Sequence, residues 1–66
     1  MYYYLAGRLR QLQITQAELA AQIGLTPASL SHRMTGRVPW RVNEMYQVLK
    51  LIRAPESELS LYFPEV

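Results

Sequence analysis

The side chains that enzymes use for covalent or metal chemistry are scarce in this 66-residue sequence. It has one histidine, His32, and neither cysteine nor aspartate. These absences exclude a Ser-His-Asp triad, an EF-hand loop and thiolate or His-rich metal sites. We therefore expect no enzyme, no metal and no cofactor, and a chain that acts by binding.

Small and polar side chains recur at helical spacing in the middle of the chain. At about 100° per residue, one side of a helix there carries Leu30 and Met34. The opposite side carries Ala28, Ser31, His32 and Thr35. A face of this kind suits insertion into a DNA major groove, which is about 12 Å wide.

Two short helices are predicted around this face. Thr15 and Glu18 have the spacing of a capping box, and Gly24 permits the left-handed backbone that ends many helices. Thr26 then caps the next helix, and Pro27 occupies its first position. This helix ends near Thr35 and Gly36.

The connection between these two helices is very short. Only residues 24–26 join them, so the chain cannot form a long antiparallel hairpin. The helices must cross steeply, as in helix-turn-helix units, and Ala20 is small enough for a close crossing. We place this unit at about residues 15–36.

Three more helices are predicted, which makes the chain all-α and a single domain over residues 1–66. They cover residues 3–13, a segment from Trp40 or Arg41 to Ile52, and about residues 55–63. No Ser, Thr, Asp or Asn marks the start of the fourth helix. The apolar stripes are Leu5, Leu9 and Leu12 in the first helix, and Val42, Met45, Leu49 and Ile52 in the fourth.

Charge is divided unevenly along the chain. Residues 1–53 hold all seven cations and two acids, a net charge of +5, whereas the last thirteen residues have a net charge of −3. A basic body favours a polyanionic partner. No apolar run approaches the roughly 20 residues of a membrane helix, and the N-terminus lacks a signal-peptide pattern. We expect a cytoplasmic protein, in a bacterial cell or a phage-infected host, without membrane contact.

These motifs resemble the Cro/C1-type (XRE) helix-turn-helix family of bacterial and phage regulators. The resemblance rests on Thr15-Gln16-Ala17-Glu18-Leu19-Ala20, Ile23-Gly24-Leu25-Thr26, Ser29-Leu30-Ser31 and Gly36. Gly36-Arg37-Val38-Pro39-Trp40, Asn43-Glu44-Met45 and Leu61-Tyr62-Phe63 look like a short phage and prophage subgroup. The resemblance covers roughly residues 5–59. It implies a compact five-helix, lambda-repressor-like domain, binding to operator DNA, and frequent dimers.

The resemblance assigns base contacts to the third helix. The candidate residues are Pro27, Ala28, Ser31 and His32. Serine can donate to or accept from a base edge, the alanine methyl can meet thymine, and histidine can pair with guanine. The family often carries Gln, Arg or Ser where this chain has Pro27 and Ala28, so specificity is expected to depend more on apolar contacts and DNA shape. The alternative for His32 is a plain surface residue.

Contacts with the DNA backbone are expected from residues that flank the third helix. The candidates are Gln16, Thr26, Thr35, Arg37 and Arg41. Gln16 begins the second helix, where unpaired amides attract an anion, although it is alternatively an ordinary exposed residue. Arg33 points away from the polar face, which favours a structural or salt-bridge role. Trp40 is expected in the core.

The apolar C-terminal segment allows two interpretations. Leu59 and Phe63 are expected to cap the core against the first helix, whereas an exposed surface that includes Val66 would serve a homodimer. A second functional hypothesis is an antirepressor that binds another regulator protein through this segment. That hypothesis predicts weak salt dependence and loss of binding on truncation after Ala54, whereas DNA binding predicts steep salt dependence.

Overall fold

Residues 2–64 are described by a computed structural model, and short α-helices connected by tight turns account for most of them. The helices are α1 (Tyr3–Gln11), α2 (Gln16–Ile23), α3 (Pro27–Met34), α4 (Val42–Leu51) and α5 (Leu59–Tyr62), with a 3-10 turn at Glu56–Glu58 before α5. No strand occurs in this part of the chain. The prediction of an all-α fold is confirmed.

Side-chain caps start α2 and α3 as predicted. The Thr15 hydroxyl accepts from the N–H of Glu18 at 3.1 Å, and the Glu18 carboxylate accepts from the N–H of Thr15 at 2.9 Å. The Thr26 hydroxyl accepts from the N–H of Ser29 at 3.1 Å, and Pro27 follows in the first turn. Each cap satisfies an amide that has no partner inside its helix.

Gly24 makes the three-residue turn possible. Its backbone is left-handed, with φ of 76°, a conformation that side chains bearing a Cβ rarely adopt. The N–H groups of Gly24 and Leu25 both donate to the carbonyl of Ala20, which closes the end of α2. Ala20 is fully buried, and α2 packs directly against α3. The two helices therefore meet through the short turn that the sequence predicts.

One hydrophobic core joins the helices. Leucines from α1, α2, α3 and α4 fill its centre, and an aromatic cluster of Tyr2, Trp40 and Phe63 closes one end. The ring centroids of Trp40 and Phe63 are 5.1 Å apart, and those of Tyr2 and Phe63 are 5.9 Å apart. Leu59 packs against the core and is partly buried. The core roles predicted for Trp40, Leu59 and Phe63 are confirmed.

Two of the predicted apolar stripes are too long. α1 ends at Gln11, since Gln13 turns into the left-handed region with φ of 59°, and Leu12 is 38% exposed. Val42 is the first residue of α4 and is 60% exposed. Leu12 and Val42 have the helical spacing of core residues, but both are exposed in the structure.

The C-terminal segment is also divided differently from the prediction. A 3-10 turn precedes a four-residue α5, and Phe63 lies just beyond that helix. Phe63 and Tyr62 are buried, whereas Leu61 is half exposed. The interface role considered for Val66 lies outside the described residues.

Candidate nucleic-acid interface

Helix α3 has a buried side and an exposed side. Leu30 and Met34 face the core with 0% and 6% exposure. All of the predicted base-contacting residues are exposed: Pro27, Ala28, Ser31 and His32. The side chains on the outer face are short, which lets a second surface approach the helix closely.

The loop after α3 is folded back onto the end of that helix. Gly36 is left-handed, with φ of 84°, and the N–H groups of Arg37 and Val38 both donate to the carbonyl of His32. The Thr35 hydroxyl donates to the carbonyls of Ser31 and His32 at 3.0 and 3.2 Å. These bonds hold the exposed Arg37 beside the C-terminal end of α3.

A buried ion pair ties α3 to α4. The guanidinium of Arg33 donates from Nε to Glu44 Oε1 at 2.8 Å and from Nη2 to Glu44 Oε2 at 3.2 Å. The Arg33 and Glu44 side chains are only 12% and 8% exposed. Arg33 Nη1 also donates to the carbonyl of Ser29 at 3.2 Å. The salt-bridge role predicted for Arg33 is confirmed.

The same glutamate supplies the missing start signal of α4. Glu44 Oε1 accepts from the N–H of Arg41 at 3.0 Å. Burial acts to raise the pKa of Glu44, but the bonds from Arg33 and Arg41 and their positive charges outweigh it, so the pKa lies below its ordinary value. The sequence offers no capping side chain at Arg41, and the signal it does carry is Glu44, since a glutamate three residues after the N-cap often accepts from the N-cap amide.

The predicted backbone-contacting residues are all exposed. They are Gln16, Thr26, Thr35, Arg37 and Arg41. The Thr26 and Thr35 hydroxyls donate to Ser29 Oγ and to the carbonyl of Ser31. Either hydroxyl must give up that bond before it can donate to a phosphate, which makes the two arginines and Gln16 the better phosphate ligands.

A further cation lies near Gln16. Arg10 and Gln16 line one shallow groove of about 220 Å³ between α1 and the start of α2, together with Ala6, Leu9 and Ile14. The groove therefore combines a positive charge with the amide-rich end of a helix, which favours an anion. Arg10 is not among the backbone-contacting residues predicted from the sequence, because a cation on the first helix is more typical of a solvated face.

Aromatic residues line a second groove, between α1 and α5. It measures about 450 Å³ and includes Tyr4, Arg8, Glu58 and Tyr62. The rings of Tyr4 and Tyr62 are 4.9 Å apart. Burial, with smaller contributions from Tyr4 and Glu58, raises the pKa of Tyr62 above its ordinary value.

Residues 2–64 contain neither a membrane-spanning helix nor a cluster of metal-binding side chains. No helix in this range is long and apolar enough to cross a membrane. No three histidine or carboxylate side chains in it are grouped in a way that could hold a metal ion.

Two capped helices, a three-residue turn and an exposed polar face on the second helix therefore occur together in a small all-α fold. The chain belongs to the family described as "Protein of unknown function (DUF739)", whose profile matches residues 1–65. Comparisons with curated proteins and with solved structures returned no match.

Proposed function

We propose that this protein is a sequence-specific DNA-binding transcriptional regulator, similar to the phage and prophage Cro/C1-type repressors that its motifs resemble. The observation that carries the proposal is the exposed outer face of α3. Ser31 and His32 offer hydrogen-bonding groups there, and Ala28 offers a methyl group. An α-helix fits the major groove, where these groups can distinguish base pairs.

Exposed polar and basic residues before and after α3 in the chain support the proposal. Arg37 and Arg41 follow the helix, and Arg37 is held close to it by its bond to the His32 carbonyl. Arg10 on α1 and Gln16 at the start of α2 line one groove on the N-terminal side of the chain. Phosphate contacts of this kind set the register of a protein on DNA, whereas the base edges supply specificity.

The regulator is proposed to act as a homodimer, as the resemblance implies. Dimers of helix-turn-helix domains bind half-sites about 34 Å, or one helical turn, apart. The operator would then be a palindrome with half-site centres about 10 base pairs apart.

Selection from a random duplex library at about 100 mM salt tests this function directly. Enrichment of a palindrome with that spacing is the expected result. Titrations of the enriched site at several salt concentrations should give a log–log slope of about −0.9 per phosphate neutralised. A pool that shows no enrichment after repeated rounds would contradict sequence-specific binding.

The second candidate function is that of an antirepressor that binds another regulator protein. Its support is the half-exposed Leu61 on α5, together with Tyr4, which is 56% exposed on α1. Leu61→Ser is expected to abolish this kind of binding and to leave DNA binding by a monomer unchanged. Pull-down of a candidate regulator by the wild type and by Leu61→Ser compares the two hypotheses.

A further inference from the structure

The ion pair between Arg33 and Glu44 has a geometry that fixes direction as well as distance. A planar guanidinium meets a planar carboxylate through two bonds, of 2.8 and 3.2 Å, which use different nitrogens and different oxygens. The third arm of the guanidinium is held by the Ser29 carbonyl. Arg33 therefore cannot rotate without breaking a bond, and α3 is held in one orientation relative to the first turn of α4.

Glu44 also determines the path of the loop that carries the two candidate phosphate ligands. Its Oε1 atom accepts from both Arg33 Nε and the N–H of Arg41. At the other end of the loop, the His32 carbonyl accepts from the N–H of Arg37. Both ends of residues 37–41 are thus tied to α3, one directly and the other through Glu44.

From these contacts we propose that Arg33 and Glu44 are positioning residues, which orient α3 and the 37–41 loop as one unit and set DNA affinity without contacting DNA. The inference rests on the proposed function and extends it to two residues outside the DNA-facing surface. Arg33 is on the inner side of α3, and Glu44 is 6% exposed, so neither presents its charge to a partner.

The stability of the fold does not by itself explain why α3 and α4 are joined by an ion pair. Removing two charges from water costs much of what their attraction returns, and apolar pairs of similar size often stabilise a fold equally well. An apolar pair, however, has no preferred direction and gives the N–H of Arg41 no acceptor. The double variant R33M/E44M therefore separates orientation from stability, and it leaves the net charge of the protein unchanged.

The test compares R33M/E44M with the wild type and with K50M/E56M, which removes one exposed cation and one exposed acid. We expect R33M/E44M to melt cooperatively near the wild-type temperature and to bind the selected operator about tenfold more weakly. K50M/E56M is expected to bind like the wild type. Equal affinity of folded R33M/E44M and wild type would overturn the proposal.

A structural measurement tests the positioning role of Arg33 and Glu44 without DNA. Residual dipolar couplings report the angle between α3 and α4, and amide hydrogen exchange reports the bond at Arg41. We expect R33M/E44M to change that angle and to lose protection at Arg41, while Leu30 keeps its protection. An unchanged angle with Arg41 still protected overturns the positioning role, even where the wild type binds no duplex and the proposed function itself fails.

Glu44→Gln provides a second variant in case R33M/E44M does not fold. Its amide oxygen can still accept one bond, but the bidentate pair with Arg33 is lost. We expect a reduction in operator affinity of about threefold and partial loss of protection at Arg41. Wild-type affinity in folded Glu44→Gln contradicts the requirement for a bidentate pair.

Discussion

The rings of Trp40 and Phe63 pack edge to face, with their centroids 5.1 Å apart. Trp40 precedes α4 and Phe63 follows α5, so this contact makes the C-terminal segment part of the core. Truncation after Ala54 would therefore remove a structural element together with any partner surface. A test of the tail has to change an exposed residue such as Leu61.

Phe63→Ala is expected to destabilise the domain by about 3–5 kcal/mol, because it empties a fully buried aromatic site. A domain of this size has a free energy of unfolding of only about 3–10 kcal/mol, so much of the population should unfold. Urea denaturation followed by far-UV circular dichroism measures the loss. Leu61→Ser, at the half-exposed neighbouring site, should unfold like the wild type; similar losses in both variants would contradict this core assignment.

Alanine at two glycines should change stability in opposite directions. Gly7 lies inside α1 with nothing within 4 Å of an added Cβ, so Gly7→Ala should stabilise by about 0.5–1 kcal/mol. Gly24 has equal space but a φ of 76°, so Gly24→Ala should destabilise by about 1–2 kcal/mol. Thermal melts of the two variants compare backbone strain directly, because neither alanine meets a steric clash.

Acid should weaken the fold through Glu44. The pKa of Glu44 is lower in the folded state than its ordinary value of 4.5, so the folded state favours the charged form. Its contribution to stability is present above about pH 4.5 and is lost as the pH falls through the lower folded-state pKa. Urea midpoints measured between neutral pH and about pH 3 should fall less steeply in R33M/E44M than in the wild type. Parallel curves would show that Glu44 does not contribute.

The proposed interface predicts two kinds of effect on DNA binding. Gln16→Ala and Arg37→Ala should weaken binding to all sequences about equally and reduce the salt slope, since both side chains are proposed to contact phosphates. Ser31→Ala and His32→Ala should instead relax base preference, by about 1–3 kcal/mol per lost contact. Binding assays on operators with single-base changes distinguish the two classes, and the same response from both would contradict the groove assignment.

The caps and the turn could be predicted from the sequence because their causes are local. Thr15 and Glu18 satisfy amides three residues away, and Gly24 supplies a backbone conformation of its own. The opposition of Leu30 to His32 on α3 likewise follows from helical spacing alone. These features determined the all-α fold, the short turn between α2 and α3, and the exposed face on which the proposed function depends.

Contacts between distant segments were decided only by the tertiary structure. Helical spacing placed Arg33 away from the polar face but could not name Glu44, eleven residues away, as its partner. The exposure of Val42 and the shared groove of Arg10 and Gln16 depend on how α1, α2 and α4 meet. Sequence fixes what each residue can bond or bury over one or two turns, whereas packing of the whole core selects which partners come within reach.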